Sequence, residues 1–196
     1  MNYILLGAAG FMLMHFLDFA SMKKITGLKP LLWLVGTGLV VYAMFNVAVT
    51  GNHFGFPVWI NIFGWGVFSA ALFGMAYSLY VALPIGKTYI SSGTSGQLVT
   101  NGIYELVRHP WLLFFGFAMA GLVLLSGSLL ALWAGIVWVL FSTILVYLQD
   151  RYVFPRMFPG YHRYQETTPM LIPSKQSLTA FFKGLKKNNK LEVQSK

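Results

Sequence analysis

The sequence predicts an all-α, polytopic membrane protein with five transmembrane helices, the N-terminus outside and the C-terminus in the cytoplasm. Hydrophobic residues make up 57% of the 196 residues and charged residues only 10%, with a mean hydropathy of +0.65. A soluble domain carries about a quarter charged residues, so this composition excludes a soluble globule. Five apolar stretches of near-spanning length and an alternating distribution of basic residues complete the prediction. A disordered chain, a collagen-like chain and a nucleic-acid-binding globule are also excluded.

The predicted spans follow from the length of apolar sequence, since a helix needs roughly 20 residues to cross a bilayer. They cover residues 3–20, 31–49, 58–83, 111–125 and 129–148. Pro30 precedes the second span at a favoured first-turn position. Only residues 126–128 separate the last two spans, which predicts a tight helical hairpin. We expect residues 1–173 to form a single transmembrane domain and residues 174–196 a basic cytoplasmic tail.

The positions of the 14 Lys and Arg residues predict the orientation of these spans. They fall within residues 21–30 and 84–110 or after residue 148, whereas the loops 50–57 and 126–128 contain none. Because Lys and Arg mark cytoplasmic loops, the net charge of +9 indicates topology and not a nucleic-acid partner. We expect the inner (plasma) membrane of a bacterium or an equivalent endomembrane. The absence of cysteine excludes disulfides and thiolate metal sites, and no metal is expected.

Polar and small residues within the spans suggest two further features. His15 and Asp18 share a face near the inner end of the first span, where they either line a substrate cavity or form a structural pair. In the third span Gly66, Ala70 and Gly74 lie four apart, a spacing that lets helix backbones approach closely. We expect them to pack within the monomer, with a dimer contact as the alternative.

The connector before the fourth span carries the first candidate site. Arg108 and His109 stand directly before Pro110, which is suited to the first turn of a helix. A helix N-terminus exposes unpaired N–H groups and a partial positive charge, so the stretch suits a carboxylate or phosphate. The alternative is that Arg108 reaches lipid phosphate and His109 only caps the bend.

The second candidate site follows the fifth span, at Asp150. A carboxylate there is able to accept hydrogen bonds from an ammonium group or from ribose hydroxyls. The alternative is an exposed ion pair with a neighbouring arginine, which stabilises little. Further along, His162 is expected to be a surface histidine.

Taken together, these two stretches carry a resemblance to a known family. Gly102 and Tyr104, followed by Arg108-His109-Pro110, resemble the G-x-Y-x-x-x-R-H-P signature of the isoprenylcysteine carboxyl methyltransferase and phospholipid methyltransferase group. The tail is similar to that group's F-G-x-x-Y-x-x-Y…I-P ending, at Phe158, Tyr161, Tyr164, Ile172 and Pro173. The ending also resembles membrane-bound methanethiol S-methyltransferases. The resemblance covers residues 98–173.

The resemblance implies a membrane methyltransferase that uses S-adenosylmethionine bound on the cytoplasmic side. It places the cofactor between the last spans and the C-terminal segment, where a lipophilic acceptor approaches sideways from the bilayer. Arg108 and His109 would be catalytic and face the cofactor. The implied cofactor-binding residues are Gly102, Tyr104, Arg108, His109, Pro110, Asp150, Tyr161, Tyr164 and Ile172. Membrane lipids are the expected partners, with a phospholipid amine, a prenylated peptide carboxylate or a small thiol as acceptor.

Three departures from the family pattern leave other functions open. Arg151 stands where the family usually has the second of two glutamates, so that charge is reversed. Leu112 replaces the usual tyrosine after the proline, and the F-G step reads Phe158-Pro-Gly. The alternatives are a sterol-type membrane reductase that uses NADPH and a non-catalytic membrane scaffold derived from the same fold.

Overall fold

The computed structural model describes residues 2–22, 28–83 and 98–194, and for residues 18–22 and 186–194 it describes the helical backbone only. That part of the chain is helical apart from loops and one isolated bridge between His53 and Ser128. The all-α prediction is thereby confirmed. The side chain of Asp18 lies outside the described residues, as do Lys23, Lys24 and Lys87. Both alternatives for His15 and Asp18, a substrate cavity or a structural pair, therefore stay predictions.

Among the described residues, five apolar helices form the body of the protein, and they follow the predicted spans closely. The elements are α1 (Asn2–Met22), α2 (Leu28–Val49), α3 (Val58–Ala76) with a π-helical turn (Tyr77–Ala82), α4 (Ile103–Leu106), α5 (Pro110–Ser126), α6 (Leu129–Leu148) with a second π-helical turn (Gln149–Val153), α7 (Phe154–Met157), α8 (Tyr161–Thr167) and α9 (Lys175–Gln194).

Three helical stretches among the described residues have the length and hydropathy to cross a membrane. They are Leu28–Val49, Val58–Ala82 and Leu129–Met157, while Asn2–Leu17 and Pro110–Ser126 are shorter apolar helices. Large apolar side chains cover the outside: Phe73 is 75% exposed and Trp59 is 69% exposed. Such a surface is suited to lipid and not to water. Five spans and the direction of insertion stay predictions.

Glycines set the closest helix contacts. In the pair α1 and α2, a Cβ on Gly10 would lie 2.8 Å from the carbonyl oxygen of Gly36. In the pair α3 and α5, a Cβ on Gly64 would lie 2.4 Å from the backbone nitrogen of Leu125. Each of these contacts therefore requires a residue without a side chain.

The predicted stripe of small residues on α3 is only partly correct. Gly74 does contact a neighbouring helix, since a Cβ there would lie 2.5 Å from the ring of Phe114. Gly66 and Ala70 are exposed, so their predicted packing within the monomer was wrong. The contact face of α3 instead runs through Gly64 and Ala71, which are buried and seven residues apart, two helical turns along one face.

The α5–α6 hairpin brings two distant parts of the sequence to the same end of the helices. Gly127 ends α5 with φ +66°, a left-handed conformation that favours glycine, and Ser128 caps α6 by accepting a hydrogen bond from the backbone N–H of Ala131. The start of α5 and the end of α6 therefore meet at the opposite end of the hairpin. The candidate site residues Arg108, His109 and Asp150 lie there.

Candidate active site

A π-helical turn carries Asp150 into the protein interior. It begins at Gln149, directly after α6, and Pro155 follows it within α7. Proline has no N–H to donate to a carbonyl one turn earlier, so regular hydrogen bonding of the helix is interrupted there. The wider π turn replaces one α-helical turn, and such turns are frequent at functional sites. Asp150 is 6% exposed.

The connector before α5 is held by the C-terminal segment. The backbone N–H of Arg108 donates to the carbonyl of Pro169 at 2.9 Å, and that of His109 donates to Met170 at 3.2 Å. These two hydrogen bonds fix the backbone at the residues whose side chains point to Asp150. The two stretches singled out in the sequence thus form one structural unit.

The carboxylate of Asp150 accepts hydrogen bonds from four side chains. Arg108 donates from Nε to Oδ1 at 2.8 Å and from Nη2 to Oδ2 at 2.7 Å. Nε2 of His109 lies 3.2 Å from Oδ1, and the hydroxyl of Tyr161 donates to Oδ1 at 2.6 Å. Nε2 of Gln165 donates to Oδ2 at 3.0 Å. Since a carboxylate has about four lone-pair positions, these contacts use its full capacity.

Arg108 also donates hydrogen bonds to backbone carbonyls of the protein. Besides its paired contacts with Asp150, Nη1 donates to the carbonyls of Gln165 and Thr168. Its side chain is only 9% exposed, so the alternative in which it reaches out to lipid phosphate was wrong. The ion pair of Asp150 is also not the exposed one with a sequence neighbour, because its partner is Arg108 and both side chains are buried. Burial alone would lower the pKa of Arg108, but the hydrogen bonds and charge of Asp150 raise it.

His109 is held between Asp150 and an aromatic ring. Its imidazole stacks on Phe154 with ring centroids 5.7 Å apart and planes 16° from parallel. Burial lowers the pKa of His109 below its usual value, although the hydrogen bond and charge of Asp150 oppose this. The ring is therefore neutral at pH 7, with its proton on Nε2 facing the carboxylate and a lone pair on Nδ1. Nδ1 is the ring nitrogen that does not contact Asp150.

Three tyrosines link this cluster to the rest of the cytoplasmic segments. The hydroxyl of Tyr164 donates to the carbonyl of Tyr104 at 2.6 Å, and the hydroxyl of Tyr104 donates to the carbonyl of Ser78 in the first π turn at 3.0 Å. Burial raises the pKa of Tyr104, Tyr161 and Tyr164, so all three remain neutral donors. With Phe154 and Phe158 they form one buried aromatic cluster.

Some predicted residues lie apart from this centre. Ile172 is 83% exposed and does not pack on the cluster, and its contact with the cofactor stays a prediction. Gly102 caps α4 with φ +62°, and a Cβ there would meet no neighbouring atom. Pro110 is buried as the first residue of α5. His162 is exposed, as expected for a surface histidine.

The sequence analysis missed two polar contacts, those of Gln165 and Thr168. Gln165 lies four residues after Tyr161 on α8, so both side chains reach Asp150 from one helix face. The spacing of four residues between Tyr161 and Gln165 is visible in the sequence and indicates that both side chains share a helix face. The carbonyl of Thr168 gave no signal, because a backbone contact depends on the course of the chain after α8 and not on the residue type.

His15 approaches the same region from α1. Its Nδ1 lies 2.9 Å from the carbonyl oxygen of Phe11, which only accepts, so Nδ1 carries the proton and Nε2 the lone pair. Nε2 is buried without a hydrogen-bond partner among the described residues. The ring centroid of His15 lies 6.4 Å from that of Trp111, two residues after His109.

The comparison with protein families decides the class of protein. The model of the phospholipid methyltransferase family matches residues 59–158, which include Arg108, His109 and Asp150. The chain belongs to this family. Its members are methyltransferases that use S-adenosylmethionine, so the chain is an enzyme of that kind and an integral, multi-pass membrane protein. The prediction of a methyltransferase is confirmed, and a reductase receives no support. Searches of curated proteins and of solved structures found no significant match.

Proposed function

We propose that this phospholipid methyltransferase family member methylates the amine of a membrane lipid at the cluster around Asp150. The observation that carries this proposal is the convergence of Arg108, His109 and Tyr161 on one buried carboxylate. Arg108 and Tyr161, which lie 42 and 11 residues from Asp150 in the sequence, meet it in a buried environment at the end of the bundle. Such a site holds reacting groups in position and excludes water.

The residues present fit the cofactor that the family uses. When bound, S-adenosylmethionine supplies a methyl group on a positively charged sulfur, which keeps the electron pair of the broken carbon–sulfur bond. Aromatic ring faces attract such a cation, and Tyr104, Phe154, Phe158, Tyr161 and Tyr164 supply a buried group of them. Arg108 uses four of its five N–H donors within the protein, which leaves one for the carboxylate of the cofactor.

Asp150 acts as a positioning residue in this proposal. Because its lone pairs are occupied by side chains of the protein, it binds neither the ammonium group nor the ribose of the cofactor directly. It instead fixes the guanidinium of Arg108 and the tautomer of His109. This division of roles resembles the way in which a buried aspartate orients a catalytic histidine in other enzymes.

His109 accepts the proton that an amine must lose. A lipid amine is an ammonium ion at neutral pH and has no lone pair with which to attack a methyl group. Nδ1 of the neutral imidazole takes that proton, and the neighbouring carboxylate of Asp150 stabilises the imidazolium that results. A bond then forms between the amine nitrogen and the methyl carbon.

The environment of His15 favours an amine over the other acceptors. A buried lone pair without a donor costs about 1–3 kcal/mol, and an N–H group of the acceptor removes that cost. A carboxylate at neutral pH has no hydrogen to donate, and a thiol is a weak donor. His15 therefore positions an amine headgroup that enters from the bilayer beside α1 and Trp111.

Methyl transfer to defined acceptors tests the proposal. Purified protein is incubated with S-adenosylmethionine labelled in its methyl group and with vesicles of phosphatidylethanolamine. We expect label in that lipid and none in phosphatidylglycerol, which has no amine. A prenylated peptide carboxylate and a small thiol are assayed in parallel. Label in either of these and none in phosphatidylethanolamine would refute the amine proposal.

Two histidine variants separate the proton transfer from binding. His109→Gln keeps a donor at the position of Nε2 but has no lone pair at the position of Nδ1. We expect methyl transfer to fall about 100-fold or more, the usual contribution of a general base, with cofactor binding retained in calorimetry. His162→Gln is the matched control, since this histidine is exposed on α8. Equal activity of both variants would exclude His109 as the base.

A further inference from the structure

The C-terminal helix α9 has three distinct faces. Its 20 residues include five lysines and one glutamate. Successive residues in an α-helix are rotated by about 100°. The first face therefore contains residues 177, 181 and 184, and the second contains residues 178, 182 and 185. The third face contains residues 175, 183, 186 and 190. The three faces follow one another around the helix and differ in chemistry.

The first face of α9 holds the helix against the protein. Ser177 is 1% exposed, and the backbone N–H of Ser177 donates to the hydroxyl of Ser174 while that of Ser174 donates to the hydroxyl of Ser177. Further along, a Cβ on Gly184 would lie 2.7 Å from Oε2 of Glu105 in α4. The start of α9 is therefore capped in place, and its middle is packed on α4.

The second face of α9 is apolar and exposed. Leu178 is 38% exposed, Phe182 58% and Leu185 44%. These residues lie at i, i+4 and i+7 and form a continuous stripe along two turns. No part of the described chain covers this stripe. In water such a stripe is unfavourable, because its large apolar side chains stay in contact with the solvent.

The third face is basic and borders the apolar stripe. Lys175 and Lys183 are exposed, and the helical register places residues 186 and 190 on the same side. An apolar stripe beside a row of lysines is the pattern of helices that lie in the membrane interface. In such helices the apolar side chains enter the acyl region, and lysines on the bordering face reach lipid phosphates.

The attachment of α9 sets its depth. The helix packs on α4, which ends at Leu106, and α5 begins at Pro110, only four residues later. Since α5 is one of the apolar helices of the membrane-embedded body, α9 is held close to the lipid headgroups. We propose that α9 binds the surface of a leaflet that contains anionic phospholipids, with its apolar stripe immersed and its lysines on the phosphates.

The absence of cysteine from the sequence makes this proposal directly testable. The full-length variants Phe182→Cys and Thr179→Cys are spin-labelled and reconstituted into phosphatidylcholine vesicles with phosphatidylglycerol. We expect the label at position 182 to be accessible to oxygen and shielded from a water-soluble nickel chelate, and the label at position 179 to show the reverse. Equal access of the chelate to both positions would overturn the proposal, as would spin–spin broadening at position 182, which indicates a second copy of the chain.

The contribution of the lysines is measured in a second variant. In a Phe182→Cys chain, Lys175, Lys183, Lys186 and Lys190 are replaced by glutamine. Each lysine near an anionic surface favours binding by about fivefold, so we expect immersion to weaken by at least about tenfold in vesicles with phosphatidylglycerol. In pure phosphatidylcholine the two chains should behave alike. An unchanged accessibility in the anionic vesicles would show that charge does not recruit the helix.

Discussion

The buried ion pair between Arg108 and Asp150 allows a quantitative prediction for the variant Asp150→Asn. Asparagine has the same size but turns an amide donor toward the donors of Arg108 or Gln165, and it removes the negative charge. The guanidinium then stays buried without its counter-ion. Removal of one partner from a buried pair costs about 3–5 kcal/mol, because the remaining charge has lost both water and its partner.

That free energy translates into a measurable change in thermal stability. For a chain of 150–250 residues about 1 kcal/mol lowers the melting temperature by about 2–4 °C, so we expect a decrease of about 6–20 °C in detergent. Intrinsic tryptophan fluorescence reports the transition. Arg151→Gln is the matched control, since Arg151 is exposed on the same π turn, and we expect its melting temperature to change by less than about 2 °C.

A double-mutant cycle tests whether the loss belongs to the pair. If Arg108 and Asp150 act together, the effect of Arg108→Met is smaller in the Asp150→Asn background, with a coupling free energy of about 0.5–3 kcal/mol. Additive effects, or a melting temperature of Asp150→Asn within about 2 °C of wild type, would refute the reasoning.

Three further predictions concern the site and the packing around it. Burial lowers the pKa of His109, so its neutral form stabilises the fold above pH 6.5. This stability is lost as the pH falls through the lowered pKa. We therefore expect the melting temperature to decline more steeply below pH 6.5 in wild type than in His109→Gln. Tyr104→Phe removes the hydrogen bond to Ser78 and should cost about 1 kcal/mol in chemical unfolding. Gly121→Ala places a Cβ 2.6 Å from the backbone of α3 and should lower the melting temperature, whereas Gly66→Ala, which meets nothing within 4 Å, should not.

Hydropathy and local backbone chemistry were sufficient to predict the helical body. The ends of α5 and α6 followed from Pro110, Gly127 and Ser128, whose preferences act within a few residues. The meeting of His109 with Asp150 was also accessible from sequence in principle. Two apolar helices of similar length joined by a short turn must place the start of one beside the end of the other.

The sequence did not predict that side chains of the protein itself occupy the hydrogen-bonding capacity of Asp150. The π turn at residues 149–153 changes which way Asp150 faces, and its cause lies partly at Pro155, five residues later. The contacts of Arg108 with the carbonyls of Gln165 and Thr168 depend on how the chain folds back after α8. The prediction that Gly66 and Ala70 pack within the monomer failed because small residues lie on two faces of α3. Spacing alone did not show which of these faces meets α5.

Arg151 stands where the family usually has a glutamate, and its position in the structure indicates whether this reversed charge disables the site. Asp150 points into the cluster, while the next residue on the π turn is exposed. A charge in water is screened and interacts weakly with a buried group. The arginine therefore does not cancel the carboxylate that holds Arg108 and His109. In the proposed function, the aromatic ring faces around Phe154 then compensate the positive sulfonium, and the reversed charge at position 151 leaves them intact.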